Sequence, residues 1–172
     1  GELHVWTLSG DNYEYKQMLI NSSGSEEDRL GKSVAISSDG KYIVSGAIYT
    51  DDPILNSGEL HVWTLSGENY EYNQMLINTS GNLSSYLGVS VAISQDGTYI
   101  IAGAFDQGHG SVTVWELSGN NYEHKQLLSG NSYDYLGYSV AISSDGEYIV
   151  GGAIYGNDSD SGELHVWNKQ VV

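Results

Sequence analysis

Ser33-Val34-Ala35-Ile36-Ser37, then Asp39-Gly40, then Tyr42-Ile43-Val44-Ser45-Gly46-Ala47, then Gly58-Glu59-Leu60-His61-Val62-Trp63: the reading of this stretch decides the fold. Two short runs rich in β-branched residues flank Asp-Gly, a pair that tolerates positive φ and is expected to form a two-residue hairpin turn. In the third run Leu60 and Val62 alternate with His61 and Trp63 at a period of two, the pattern of a strand with two unlike faces. A fourth run, Tyr70-Glu71-Tyr72-Asn73-Gln74-Met75-Leu76-Ile77, follows a second turn at Ser66-Gly67-Glu68-Asn69. Apolar residues at helical spacing are missing, so four antiparallel strands and a near-zero helix content are expected.

Working outward, the stretch repeats. Gly1-Glu2-Leu3-His4-Val5-Trp6 returns at Gly58–Trp63, in altered form at Gly110–Trp115, and again at Gly162–Trp167. Ser-Val-Ala-Ile-Ser recurs at 33–37, 90–94 and 139–143, followed each time by Asp-Gly at Asp39-Gly40, Asp96-Gly97 and Asp145-Gly146. Segments 1–24 and 58–81 differ only at Asp11/Glu68, Lys16/Asn73 and Ser22/Thr79. A four-stranded unit repeating about every 50 residues is the signature of propeller blades. The fold class is therefore all-β, antiparallel four-stranded blades, about three in number. The units run approximately 1–29 (partial), 30–77, 87–128 and 136–172 (partial).

The order Leu-Gly, Ser-Val-Ala-Ile-Ser, Asp-Gly, Tyr-Ile-Val, Gly-Ala, Gly-x-x-x-Val-Trp and Gln-x-Leu resembles the FG-GAP repeat of integrin-type propellers. Leu30-Gly31, Leu87-Gly88 and Leu136-Gly137 stand where that family has Phe-Gly. The WD repeat is the runner-up, since it shares the Asp-Gly hairpin and a strand ending in Val-Trp. The resemblance implies a closed ring of more blades than these strands build. The chain is thus expected to be an excerpt of a longer repeat array, or to complete its sheets with other copies.

Composition narrows the function classes. Asp and Glu number 22 against 6 Lys and Arg, a formal charge of −16. A surface so acidic repels nucleic acid, whose binding requires cations to displace its counterions. With 40% apolar residues the acidity does not signal disorder. Cysteine is absent, which excludes thiolate metal sites and disulfides. No apolar run approaches the roughly 20 residues of a membrane helix, so no direct membrane insertion is expected.

FG-GAP blades of the integrin type often hold calcium between strands one and two, and the resemblance directs attention there. Calcium takes six to eight oxygens. Each matching turn here supplies a single Asp, and Lys41 adjoins the first. No metal, no cofactor and no catalytic residue is expected. His4, His61 and His165 recur at one strand position, as do Trp6, Trp63, Trp115 and Trp167, which reads as blade-to-blade packing. Asn21, Asn78, Asn82 and Asn157 each begin an N-glycosylation pattern. All four fall in connections from strand four to one or strand two to three, which share one face of an up-and-down blade. The same connections carry Asp51, Asp52, Asp106, His109, Asp158 and Asp160, the candidate residues of a binding face.

These features lead to the expectation of an extracellular or cell-surface, non-enzymatic module for adhesion, protein or glycan binding, or structural assembly. Its partners would be other copies, further repeats, or protein or glycan ligands. Alternatives are an accessory propeller of a secreted hydrolase or lyase, or an intracellular WD-type scaffold.

Overall fold

In the computed structural model, residues 1–25, 27–50, 56–78, 85–105, 109–155 and 161–168 are described. They form thirteen strands: β1 (Glu2–Ser9), β2 (Asn12–Ile20), β3 (Ser33–Ile36), β4 (Tyr42–Ala47), β5 (Glu59–Ser66), β6 (Asn69–Leu76), β7 (Ser90–Ile93), β8 (Tyr99–Phe105), β9 (His109–Ser118), β10 (Asn121–Ser132), β11 (Leu136–Ile142), β12 (Tyr148–Ala153) and β13 (Glu163–Asn168). They assemble into four sheets of sequential antiparallel strands: β1-β2, β3-β4-β5-β6, β7-β8-β9-β10 and β11-β12-β13. The fold is all-β, with two whole blades between two part-blades. Among the described residues there is no helix, and the ring is open.

The sequence signals translate directly into hairpins. Gly10, Gly67 and Gly119 adopt positive φ in two-residue loops between strands three and four, where Ser9 pairs with Asn12 and Ser66 with Asn69. The Asp-Gly turns are longer than the expected two residues. Ser37 pairs with Tyr42 through the Ser37 amide and Tyr42 carbonyl (3.0 Å), which leaves four residues in the loop. Side chains make the longer loop tight. The Asp39 carboxylate accepts from the Ser37 hydroxyl (2.6 Å) and the Lys41 amide (2.9 Å), while Ser37 Oγ accepts from the Tyr42 amide (3.0 Å). The same bracing recurs at Ser94/Asp96 and Ser143/Asp145.

The core lies between blades. Leu3, Leu19, Ile43, Trp63 and Tyr70 bury together at the first junction. Val44, Leu60, Val62, Leu87, Ile100 and Trp115 fill the second. Ile101, Val112, Val114, Leu128 and Leu136 fill the third. On β5 the two-residue alternation thus serves two neighbours: Leu60 and Val62 face the blade that follows, and Trp63 faces the blade that precedes.

The Leu-Gly and Gly-Ala motifs have one explanation. A Cβ on Gly46 would lie 2.0 Å from the Gly88 carbonyl oxygen, and one on Gly103 would lie 1.7 Å from that of Gly137. Backbone meets backbone near the axis, where only glycine leaves room. Ser33 Oγ and Ser90 Oγ then donate to the Gly88 and Gly137 carbonyls at 2.7 and 2.8 Å, tying each inner strand to the next blade.

Candidate functional site

Strand order places the connections β2–β3, β4–β5, β6–β7, β8–β9, β10–β11 and β12–β13 on one face, as expected. Asp51, Asp52, Asp106, Asp158, Asp160, Asn82 and Asn157 lie outside the described residues. The backbone of His109 opens β9 opposite Ser132. Asn21 directly follows β2; its Oδ1 accepts from the Ser23 amide (3.1 Å) and hydroxyl (2.9 Å) of its own sequon. Asn78 stands two residues past β6, half-buried.

The opposite face gathers the three Asp-Gly turns. The Ser38 amide donates to the Gln95 carbonyl (3.0 Å) and the Gln95 amide to the Ser144 carbonyl (3.1 Å), so successive turns are chained. Asp39, Asp96 and Asp145 line a shallow cavity there of about 540 Å³. Hydrogen bonds from Ser37 and the Lys41 amide hold Asp39 below the ordinary aspartate value; Thr98 and Ser94 act likewise on Asp96, and Ser143 and the Glu147 amide on Asp145. Each carboxylate is kept ionised and spent on its own turn. This suits a brace and does not suit a general acid.

A constellation that the sequence reading did not single out sits at the loop-face end of the third strands. Glu and His two residues apart on a strand share a face. On β5 both are buried: Glu59 Oε1 is 2.7 Å from His61 Nε2, the Tyr72 hydroxyl is 3.3 Å from His61 Nδ1, and Asn21 Nδ2 of the preceding part-blade lies 3.3 Å from Nε2. Burial, and then the Glu59 charge, raise the Tyr72 pKa. On β1 the same pair, Glu2 and His4 (2.9 Å), is exposed, with His4 stacked on Trp6 at 5.5 Å. On β13, His165 lies 3.5 Å from Glu163 and 3.9 Å from the buried Asp134. The signal was Gly-Glu-Leu-His itself, present at 1–4, 58–61 and 162–165. His61 reaches Asn21 across a blade junction, so the recurring histidine is a packing group there, as its periodic recurrence implied. The Glu59 and His61 side chains are only 5% and 1% exposed, so among the described residues the β5 pair is packed into the junction.

Comparison with known proteins agrees on the fold. Residues 14–63 match the FG-GAP repeat family. The resemblance drawn from the motifs therefore holds on that segment. No curated protein matches the chain significantly. Among solved structures, the periplasmic gluconolactonase PpgL of Pseudomonas aeruginosa superposes with a TM-score of 0.63 at 14% identity, over 96% of this chain and 45% of its own. A proposed 6-phosphogluconolactonase of Bacteroides fragilis gives 0.60 at 14%, over 98% and 45%. The β-propeller domain of Cps50 (Swd1) from Myceliophteria thermophila gives 0.56 at 12%, over 80% and 39%. The chain spans under half the length of each.

These neighbours correct one expectation. The reading as a non-enzymatic module for adhesion, protein or glycan binding, or structural assembly rested on finding no nucleophile with its base and no clustered acid–base pair in the sequence. The propellers that superpose on the chain include a periplasmic gluconolactonase and a proposed 6-phosphogluconolactonase. A periodic scaffold hides a site well, because catalytic groups belong to the non-repeating loops and leave no trace in the repeat pattern that the sequence reading relied on.

Proposed function

We propose that this chain is part of the ring of a propeller enzyme that opens small, uncharged sugar-acid lactones, working in an extracellular or periplasmic space. The observation that carries the reading is the superposition of nearly the whole chain on part of a periplasmic gluconolactonase. That is an analogy of fold. The choice among lactones has a separate support in charge: a surface of −16 raises the cost of bringing a phosphorylated lactone to the site. The working face is the one that holds the long connections, since the opposite face is consumed by braced turns. Asn21 and Asn78 lie in these connections; they, together with Asn82 and Asn157, are proposed to bear glycans where the natural route of export glycosylates, and peptide mapping of native material before and after glycan removal tests this.

Following acid release from glucono-δ-lactone and from its 6-phosphate in a pH-stat tests the activity. The reading expects the protein to accelerate opening of the neutral lactone over its spontaneous rate, and to act more weakly on the phosphate. Both lactones opening at the buffer rate would overturn it. A preference for the phosphate would overturn the charge argument.

A further inference from the structure

Among the described residues, five that are not glycine adopt positive φ: Arg29, Asn56, Tyr86, Tyr133 and Tyr135. All five lie in loop-face connections, and none lies in a turn of the opposite face. A bulky side chain in that conformation is held against its own preference, and such positions cluster at ligand-binding and active sites. Arg29, Tyr86 and Tyr135 are equivalents, each standing directly before Leu-Gly.

Backbone hydrogen bonds fix what these residues present. The Tyr86 amide donates to the Asn56 carbonyl (3.1 Å), which joins two of the five. The Tyr49 amide donates to the Asp28 carbonyl (3.3 Å) and the Tyr155 amide to the Asp134 carbonyl (3.2 Å). The exits of β4 and β12 are thereby tied to the entries of β3 and β11. Asp134, itself buried, accepts from the Asn131 amide (2.5 Å) and the Leu136 amide (3.0 Å), so the turn that holds Tyr135 is braced from within.

The side chains so placed form a row of aromatic rings. Tyr49 meets Tyr86 edge-on at 5.6 Å, Tyr86 meets Phe105 at 5.7 Å, Phe105 meets Tyr135 at 5.9 Å, and Tyr135 meets Tyr155 at 5.1 Å. Arg29 lies over Tyr49 at 4.5 Å, and Tyr138 lies against Phe105 at 5.7 Å. The row crosses two blade junctions, yet none of its rings belongs to the three junction cores. Tyr49, Tyr86, Phe105 and Tyr135 are half-buried, whereas Tyr138 and Tyr155 are exposed. Tyr86 and Tyr135 stand two residues before Gly88 and Gly137, so the row follows the inner rim, where backbone meets backbone.

Packing alone would be served by rings sunk into the junctions, as Trp63 and Trp115 are. Rings held half-open in a row, several with phenol hydroxyls at their tips, suit a flat ligand that is apolar on its faces and polar at its edges. A six-membered sugar lactone has that character, with C–H groups on its faces and hydroxyls around its rim. We propose that Tyr86, Phe105 and Tyr135 are the floor on which the lactone ring stacks, an inference that rests on the lactone-opening reading above. Stacking of this kind holds substrate and transition state alike, so its loss appears in KM and leaves kcat in place.

Binding and turnover are read separately, on the full natural chain. Glucono-δ-lactam, an uncharged ring that does not open, is the binding probe in calorimetry; acid release from glucono-δ-lactone gives KM and kcat. Tyr86→Leu and Tyr135→Leu, checked for native circular dichroism, are each expected to weaken lactam binding and raise KM about tenfold, with kcat within about twofold. Tyr86→Phe and Tyr135→Phe keep the ring and are expected to stay within about threefold of the unaltered protein. In the unaltered protein, saturating the aromatic protons should transfer to the C–H protons of the lactam, a readout that needs no variant to fold. Absence of that transfer overturns the proposal, and so do folded Leu variants that bind the lactam as tightly as the unaltered protein. Lactam binding that the Leu variants weaken, without lactone opening, leaves the floor standing and removes the enzymatic reading. Lactone opening indifferent to both Leu variants does the reverse.

Discussion

Residues 1–20 and 58–77 are nearly the same sequence in two different settings. Trp63 is 2% exposed and Trp6 53%; the Glu59–His61 pair is buried and the Glu2–His4 pair is open. The local structure is the same in both. Each has a β-bulge at the Val-Trp step and a two-residue glycine loop. The difference teaches that hydrogen-bonded pairing in a blade is a local property, whereas burial is supplied by the neighbours on either side. In a repeat array each unit contacts only the next, so stability is concentrated at junctions.

The sharpest way to break the comparison is to truncate both tryptophans. Trp63→Ala removes a side chain packed at a filled junction and is expected to cost about 3–5 kcal/mol. Trp6→Ala, at micromolar concentration, is expected to stay within about 0.5 kcal/mol. Urea unfolding of the two variants decides; equal losses would mean that the first part-blade is covered in solution.

Glycine positions sharpen it further. Gly46→Ala drives a Cβ into the Gly88 carbonyl and is expected to cost about 1–3 kcal/mol by overpacking. Gly152 holds the same strand position in the last sheet, but its nearest neighbour is only the Ser139 hydroxyl, which can rotate away. Gly152→Ala should therefore cost less than Gly46→Ala in the same denaturation series.

Glutamine clamps between blades come next. The Gln74 side chain accepts from the Tyr122 amide and donates to the Tyr122 carbonyl, so Gln74→Ala strands both and is expected to cost about 1–2 kcal/mol. Gln126, at the matching position opposite Val114, holds no such tyrosine among the described residues, so Gln126→Ala should cost less than Gln74→Ala in the same thermal series.

The smallest effect is one that should not depend on position along the chain. The folded pKa values of Asp39, Asp96 and Asp145 all lie below the ordinary aspartate value of 3.8. A depressed carboxylate stabilises the fold above its unfolded pKa, and that contribution is lost as pH falls through the folded value. Stability should therefore decline from about pH 4 downward, and Asp39→Asn should flatten the acid limb as much as Asp145→Asn. A markedly larger effect at one turn would show that its carboxylate does more than brace a hairpin.

Most of the fold was legible because its determinants are local. Ser33–Ser37, Asp39-Gly40 and Tyr42–Ala47 announce a hairpin by residue type and period, and their recurrence announces the blade. The length of the Asp-Gly loop was not legible, because it depends on Ser37 and Asp39 side chains replacing backbone partners. The recurring histidines were read as packing groups, and His61 is one. Its pairing with Glu59 and Asn21 escaped notice, since Asn21 arrives from another blade 40 residues away.

Sequence by itself determined the strands, their order, the two-faced alternation of β5 and the turn glycines, since each follows from backbone preferences acting over a few residues. Only the tertiary structure decided which copy of a repeated residue is buried, why Gly46 and Gly88 must both lack a side chain, and that Gln17 and Gln74 each grip a tyrosine of the next blade. Those outcomes depend on what stands on the far side of each sheet. Near-identical repeats cannot encode that difference, because burial is a relation between blades.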